Sequence, residues 1–439
     1  MRPVVHSDDI PIPSYHPLPE LSEDEYSDND RWSDGRSDYK ELSPNHPSFN
    51  QNELIDLIRD LSLSKEASEL LASRLNDKKM LHNGTQVTFY RTREKEFLSF
   101  FAHENDLVFC TDVSGLLLKM RLPQYFPNDW RLFIDSSKRS LKCVLLHNGN
   151  KYASIPIAHS TNMKENYETI ASVMQKIKFD EHKWVICVDF KVVNFLLGQQ
   201  GGFTKYPCFL CLWDSIARQH HWIRKEWPKR EQLVVGESNV VNKPLVGRDK
   251  IILPPLHIKL GIMKQFIRAV SQDSPCFAYL QQKMSAISTE KLKAGIFDCP
   301  QIRQLINDSH FQQTMNDKER QAWLSFVLVI KNFLGSHKAE NYVEIVNDML
   351  QNLKELGCNM SIKVHYLHSH LDSFPENLGD MSEEQGERFH QDLQTMENRY
   401  QGRWDTHMMA DYCWNLHRDC ANTFYSRFSK KRSFICLTK

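Results

Sequence analysis

The chain has 439 residues and a formal charge of zero, with 55 Lys and Arg against 55 Asp and Glu. Apolar residues at 41% and aromatics at 11% supply a large buried core, while the zero balance excludes a uniformly basic nucleic-acid coat and leaves room for a local basic groove. No apolar run is long enough for a membrane span, the opening MRPVVHSDDIPIPSYHPLPE lacks the apolar segment of a secretory signal, and 11 scattered cysteines point to reduced thiols with a few holding metal.

Residues 1–50 carry 7 of the 18 prolines and a net charge of −7, which leaves +7 on the remaining 389 residues. So little apolar content cannot offset the entropy of ordering, and the composition predicts a disordered acidic tail. Residues 51–105 follow as a helical lead-in, with two helices broken near Leu63–Ser64. From 106 the period shortens. NDLVFC and LLLKM predict short strands, and WRLFIDSSKRS, LKCVLLHNGN and KYASIPIAHS predict three more, with Asn148-Gly149 as a hairpin signal. A helix over NYETIASVMQKIKF then leads to a further strand in KWVICVDFKV. Strand, strand, strand, helix, strand describes a mixed α/β sheet. A basic loop and a helical block occupy 216–360, and the end of the chain, 361–439, reads as helical again. No internal repeat stands out.

Two aspartates end apolar strands: Asp135 after Leu132-Phe133-Ile134, and Asp189 after Val185-Ile186-Cys187-Val188. Carboxylates at neighbouring strand ends can share hard divalent ions such as Mg²⁺, and two such ions can serve phosphodiester chemistry. Alone, each Asp more simply ends a strand or opens a turn. Glu384 and Glu387 lie on one face of a helix that Ser382 would cap, and either can supply a third acid.

Cys208-Phe-Leu-Cys211 has the spacing of one metal half-site, and His365-Tyr-Leu-His368-Ser-His370 can complete it, with His365 and His370 preferred and His368 in reserve. A closed Cys₂His₂ site of this kind suits structural zinc, and the plainer alternative is a chance pair of buried cysteines with surface or core histidines. An ordinary zinc hydrolase is disfavoured, because no H-E-x-x-H is present. His257 follows two prolines at a helix start, where it can cap, pack, or face a phosphate. In HHWIRKEWPKREQ, Trp222 and Trp227 interleave with Arg224, Lys225, Lys229 and Arg230, a mixture suited to phosphates and unpaired bases or to an amphipathic surface turn. Arg427, Lys430, Lys431 and Arg432 form a basic patch of the nuclear-import type.

Taken together, IDSSKRSLKCVLLHNGN, WVICVDFKVVNFLLGQQGGFTKYPCFLCLWDS, LPPLHIKLGIMKQF and SEEQGERFHQD resemble transposon-derived DDE transposases, in particular the recombination-activating recombinase and Transib, hAT and KDZ lineages. The resemblance spans roughly residues 50–430 and implies an RNase H-like core interrupted by a large all-helical insertion. It implies Asp135, Asp189 and Glu387 as catalytic acids, with Glu387 favoured over Glu384 because the corresponding acid precedes a short polar helix turn. It also implies Cys208, Cys211, His365 and His370 as ligands of one structural Zn²⁺. Two Mg²⁺ or Mn²⁺ ions, DNA as partner, a second copy of the chain and a nuclear location complete the expectation, with no membrane and no organic cofactor. The neutral charge and the lack of a recognisable N-terminal DNA-binding finger support an alternative, a catalytically silent DNA- or chromatin-binding protein that keeps the fold and the zinc site.

Overall fold

The structure, a computed structural model, describes residues 48–136, 140–401 and 405–417. Nearly all of the expected acidic tail and all of the expected import patch lie outside these residues.

Two helices open the described chain, α1 (Gln51–Asp60) and α2 (Lys65–Asp77), each with a side-chain cap, from Asn50 and Ser64. The break falls where the sequence predicts it. After α3 (Lys95–Leu98) come β1 (Phe101–Glu104) and β2 (Leu107–Cys110). The expected strand in LLLKM is instead part of helix α4 (Val113–Lys119). Asp112 accepts the Gly115 N–H and starts the turn, after which Val113, Leu116 and Leu117 are buried while Leu118 faces solvent, a helical spacing rather than an alternation.

The centre of the molecule is formed by β3 (Trp130–Ser136), β4 (Leu141–His147) and β5 (Ile155–Ser160), then α5 (Tyr167–Lys176), α6 (Phe179–His182), β6 (Val185–Val188), α7 (Phe190–Leu196) and the two-residue β7 (Ile251–Ile252). Among the described residues they build one mixed sheet, ordered β1-β2-β5-β4-β3-β6-β7. β3, β4 and β5 form an antiparallel meander, and β6 and β7 add in parallel on the other side of β3. That connectivity is the RNase H-like arrangement expected from the sequence. The central strands read as unbroken apolar runs because both their faces are covered; Leu132, Val144, Leu145 and Ile186 have no exposed surface.

The helical insertion comprises α8 (Pro255–Ala269), α9 (Pro275–Lys283), α10 (Thr289–Lys293), α11 (Cys299–Ile306), α12 (Ser309–Gln313), α13 (Asp317–Asn332) and α14 (Tyr342–Glu355). It packs around Trp323, which is fully buried against Phe266, Phe311 and Phe326. The chain returns through α15 (Ile362–Ser369) to α16 (Glu384–Arg399) and α17 (Thr406–Leu416). The last helix is fastened to the start of the domain. Arg93 donates to both carboxylate oxygens of Asp411 at 2.7 and 3.2 Å, and Arg59 and Arg93 each lie 4.4 Å from the centre of the buried Trp414 ring. No described helix is long and apolar enough to cross a membrane.

Candidate metal centre and acidic site

Cys208 and Cys211 lie on the loop after α7, and that loop is latched by buried Arg230. Its guanidinium donates to the carbonyls of Cys208 (3.2 Å), Tyr206 (3.0 Å) and Ser238 (3.1 Å). Arg230 therefore faces the interior, and the expectation that it meets DNA gives way to a role in holding the cysteine loop. Helix α15 brings the histidines. Cys211 Sγ lies 3.3 Å from His365 Nε2 and 3.2 Å from His370 Nε2, and Cys208 Sγ lies 3.5 Å from His370 Nε2. All four ligand atoms fall within 4.8 Å of one another. A tetrahedral zinc with bonds of ~2.0–2.3 Å needs its ligand atoms roughly 3.3–3.8 Å apart.

The chemistry of the donors also fits. Burial opposes ionisation of Cys208, but hydrogen bonding from Cys211, His365 and His370 outweighs it and holds this thiol well below its ordinary value. The Leu210 N–H also points at Cys208 Sγ, at 3.4 Å. Burial pushes His365 below its ordinary value, which favours the neutral imidazole that ligates. His368, the reserve ligand, stands outside the cluster, with Nδ1 3.2 Å from Ser369 Oγ and its ring edge-on to Trp222. The four residues thus form a cluster that could hold a metal such as zinc.

The acids sit on the sheet beside this cluster. The last register pair of the parallel β3–β6 ladder is Ile134 with Val188, so Asp135 comes next on β3 and Asp189 next after the end of β6. Alternation puts both on the face shared by Phe133 and Cys187. Helix α16 covers that face at its start: a Cβ on Gly386 would run into the Phe133 ring, so only glycine permits this approach. Asp189 also caps α7, accepting the Val192 N–H at 2.7 Å through Oδ1. Glu387 lies in the first turn of α16, one residue past Gly386; its side chain is outside the described residues. The Glu384 carboxylate lies 3.5 Å from Arg303 of the insertion.

The expected helix start is displaced by one residue. Ser382 Oγ accepts the Glu384 N–H at 3.3 Å, but Glu383 is the cap position. Sequence reasoning passed over Glu383, and it is the fully buried acid here. One oxygen accepts both the backbone N–H and Nδ1 of His257, at 2.9 and 3.1 Å, and Cys187 Sγ approaches the other at 3.6 Å. This explains His257: it joins the first turn of α8 to the start of α16. Buried Arg131 adds a second tie, donating to the Ser382 carbonyl at 3.0 Å.

In the basic loop, Arg224, Lys225 and Lys229 are exposed. Trp222 and Trp227 are half-buried; Trp222 donates to the Cys358 carbonyl, and Arg224 stacks on Trp227 at 4.6 Å.

Two family models match the chain, described as Domain of unknown function (DUF8703) over residues 89–246 and Domain of unknown function (DUF8704) over residues 255–335. No curated protein matches. Among solved structures, the chain is similar to the Drosophila P element transposase strand transfer complex, with 11% identity and a TM-score of 0.45, over 85% of this chain and 92% of that one.

Proposed function

We propose that this chain is a DDE transposase-like protein that cleaves DNA phosphodiesters and transfers strands, with Asp135, Asp189 and Glu387 as its acids. The observation that carries the reading is the parallel register of β3 and β6. It leaves Asp135 and Asp189 side by side past Ile134 and Val188, on the sheet face covered by the first turn of α16, where Glu387 lies. Carboxylates are the donors that hard ions such as Mg²⁺ or Mn²⁺ require, and Asp189 commits Oδ1 to its helix cap while its second oxygen is left for a ligand. Two such ions, when bound, supply activation of a water or a freed 3′-hydroxyl and stabilisation of the leaving oxygen. The chain's own part is to fix the acids on rigid strands and to hold α16 over them through Arg131, Glu383 and His257. Glu384 is the reserve third acid. Zinc at Cys208, Cys211, His365 and His370 is structural in this reading, since four protein ligands leave no position for water. Exposed Arg224, Lys225 and Lys229, with Trp222 and Trp227, form the DNA-contacting loop, and the protein acts in the nucleus.

Calorimetric titration with Mn²⁺ tests this reading. The wild type is expected to bind, and the double variant Asp135→Asn with Asp189→Asn is expected to lose binding at unchanged zinc content. Absence of Mn²⁺ binding by the wild type would overturn it. The zero net charge favours one second reading, a catalytically silent protein that binds DNA or chromatin; it requires salt-dependent DNA binding without Mn²⁺ binding.

A further inference from the structure

Lys363 is the second residue of α15, the helix that carries His365. Its stem crosses α8 at Gly261, where an added Cβ would sit only 3.0 and 3.1 Å from Lys363 Cβ and Cγ. Any larger residue would block that passage. The ammonium emerges 5.8 Å from the centre of the Phe190 ring, and Phe190 directly follows Asp189. Asp189 and Glu383 are the acids whose charge reaches it, and Lys264 is the opposing cation. Among the described residues, Lys363 makes no hydrogen bond or ion pair. A lysine with a purely structural role extends its head into water or closes on a carboxylate. Here the side chain is half-buried, with its head over the Phe190 ring, and closes on neither acid.

We propose that Lys363 is the phosphate-contacting cation of the acidic site, placed by Gly261 and Phe190 to take a non-bridging oxygen of the DNA phosphodiester that Asp135 and Asp189 act upon. The inference rests on the acidic-site reading above. Lysine serves as a compact point charge for phosphate. Beside carboxylates that gather divalent cations, it also weakens metal binding while DNA is absent and strengthens DNA binding once metal is present. The two effects have opposite signs, which a packing role cannot reproduce.

The full zinc-loaded chain is compared with Lys363→Met, which keeps an apolar stem, and Lys363→Arg, which keeps the charge. Mn²⁺ binding is measured by calorimetry without DNA. Binding of a short oligothymidylate in Mn²⁺ is then measured across a salt series. For Lys363→Met, Mn²⁺ affinity is expected to rise severalfold. Oligothymidylate affinity is expected to fall severalfold, and the slope of log affinity against log salt to shrink by about 0.7, the share of one single-strand phosphate. Lys363→Arg is expected to restore the slope. Wild-type Mn²⁺ binding with an unchanged oligothymidylate slope in Lys363→Met would overturn this inference alone, as would a parallel loss of Mn²⁺ and zinc. No Mn²⁺ binding in the wild type would overturn it together with the acidic-site reading.

Discussion

Cys208 is the readier thiolate of the Cys₂His₂ cluster, because hydrogen bonding from Cys211, His365 and His370 outweighs its burial. Cys208→Ser removes that thiolate. Metal analysis is expected to show loss of the ion, and thermal unfolding a fall in stability of about 4 kcal/mol at zinc a thousandfold above its dissociation constant. His368→Ala is expected to keep the ion, because His368 points at Ser369 and Trp222. That Cys208, Cys211, His365 and His370 form one cluster was legible from spacing, since C-x₂-C and two histidines five residues apart each offer half of a compact group. Other residues carried no such mark. In Arg230 the sequence offers one more cation in a basic run, and only the folded loop brings three carbonyls around its guanidinium. Glu383 looks like its neighbour Glu384 until His257, 126 residues away, claims its carboxylate.

Helices α7 and α15 meet where Phe190 stacks on Tyr366, with ring centres 5.4 Å apart and planes inclined by 9°. This contact connects the helix capped by Asp189 to the helix carrying His365. Such a stack is worth about 0.5–1.5 kcal/mol beyond the area it buries. Phe190→Leu is expected to keep zinc and secondary structure but to weaken Mn²⁺ binding severalfold, as calorimetry against metal analysis would show. At this scale the sequence was informative wherever an apolar run was long. β3, β4, β5 and β6 all lie where their runs predicted. LLLKM failed because a short apolar run suits a strand or a helix equally, and the Asp112 cap settles the choice. Two-residue β7 is too short to leave any period.

Zero net charge conceals a division along the chain, with −7 in residues 1–50 and +7 in the rest. If the larger part binds DNA, the acidic segment competes with phosphate for its cations. Removing residues 1–50 is expected to tighten DNA binding severalfold at low salt and to matter little at high salt, a difference readable from an anisotropy titration. The order of strand, helix and insertion was legible at this scale from the change of period along the chain. The closure of the domain was not, because it depends on single long-range pairs. Arg93 with Asp411 is such a pair, its members 318 positions apart, and Arg59 and Arg93 both lie against Trp414. A ribosome adds about 5–20 residues per second, so the first helices wait tens of seconds for the partner that buries their arginines. During that interval Arg93 has yet to meet Asp411 and the sheet is uncovered, and the yield of the chain in a cell depends on chaperone supply during translation.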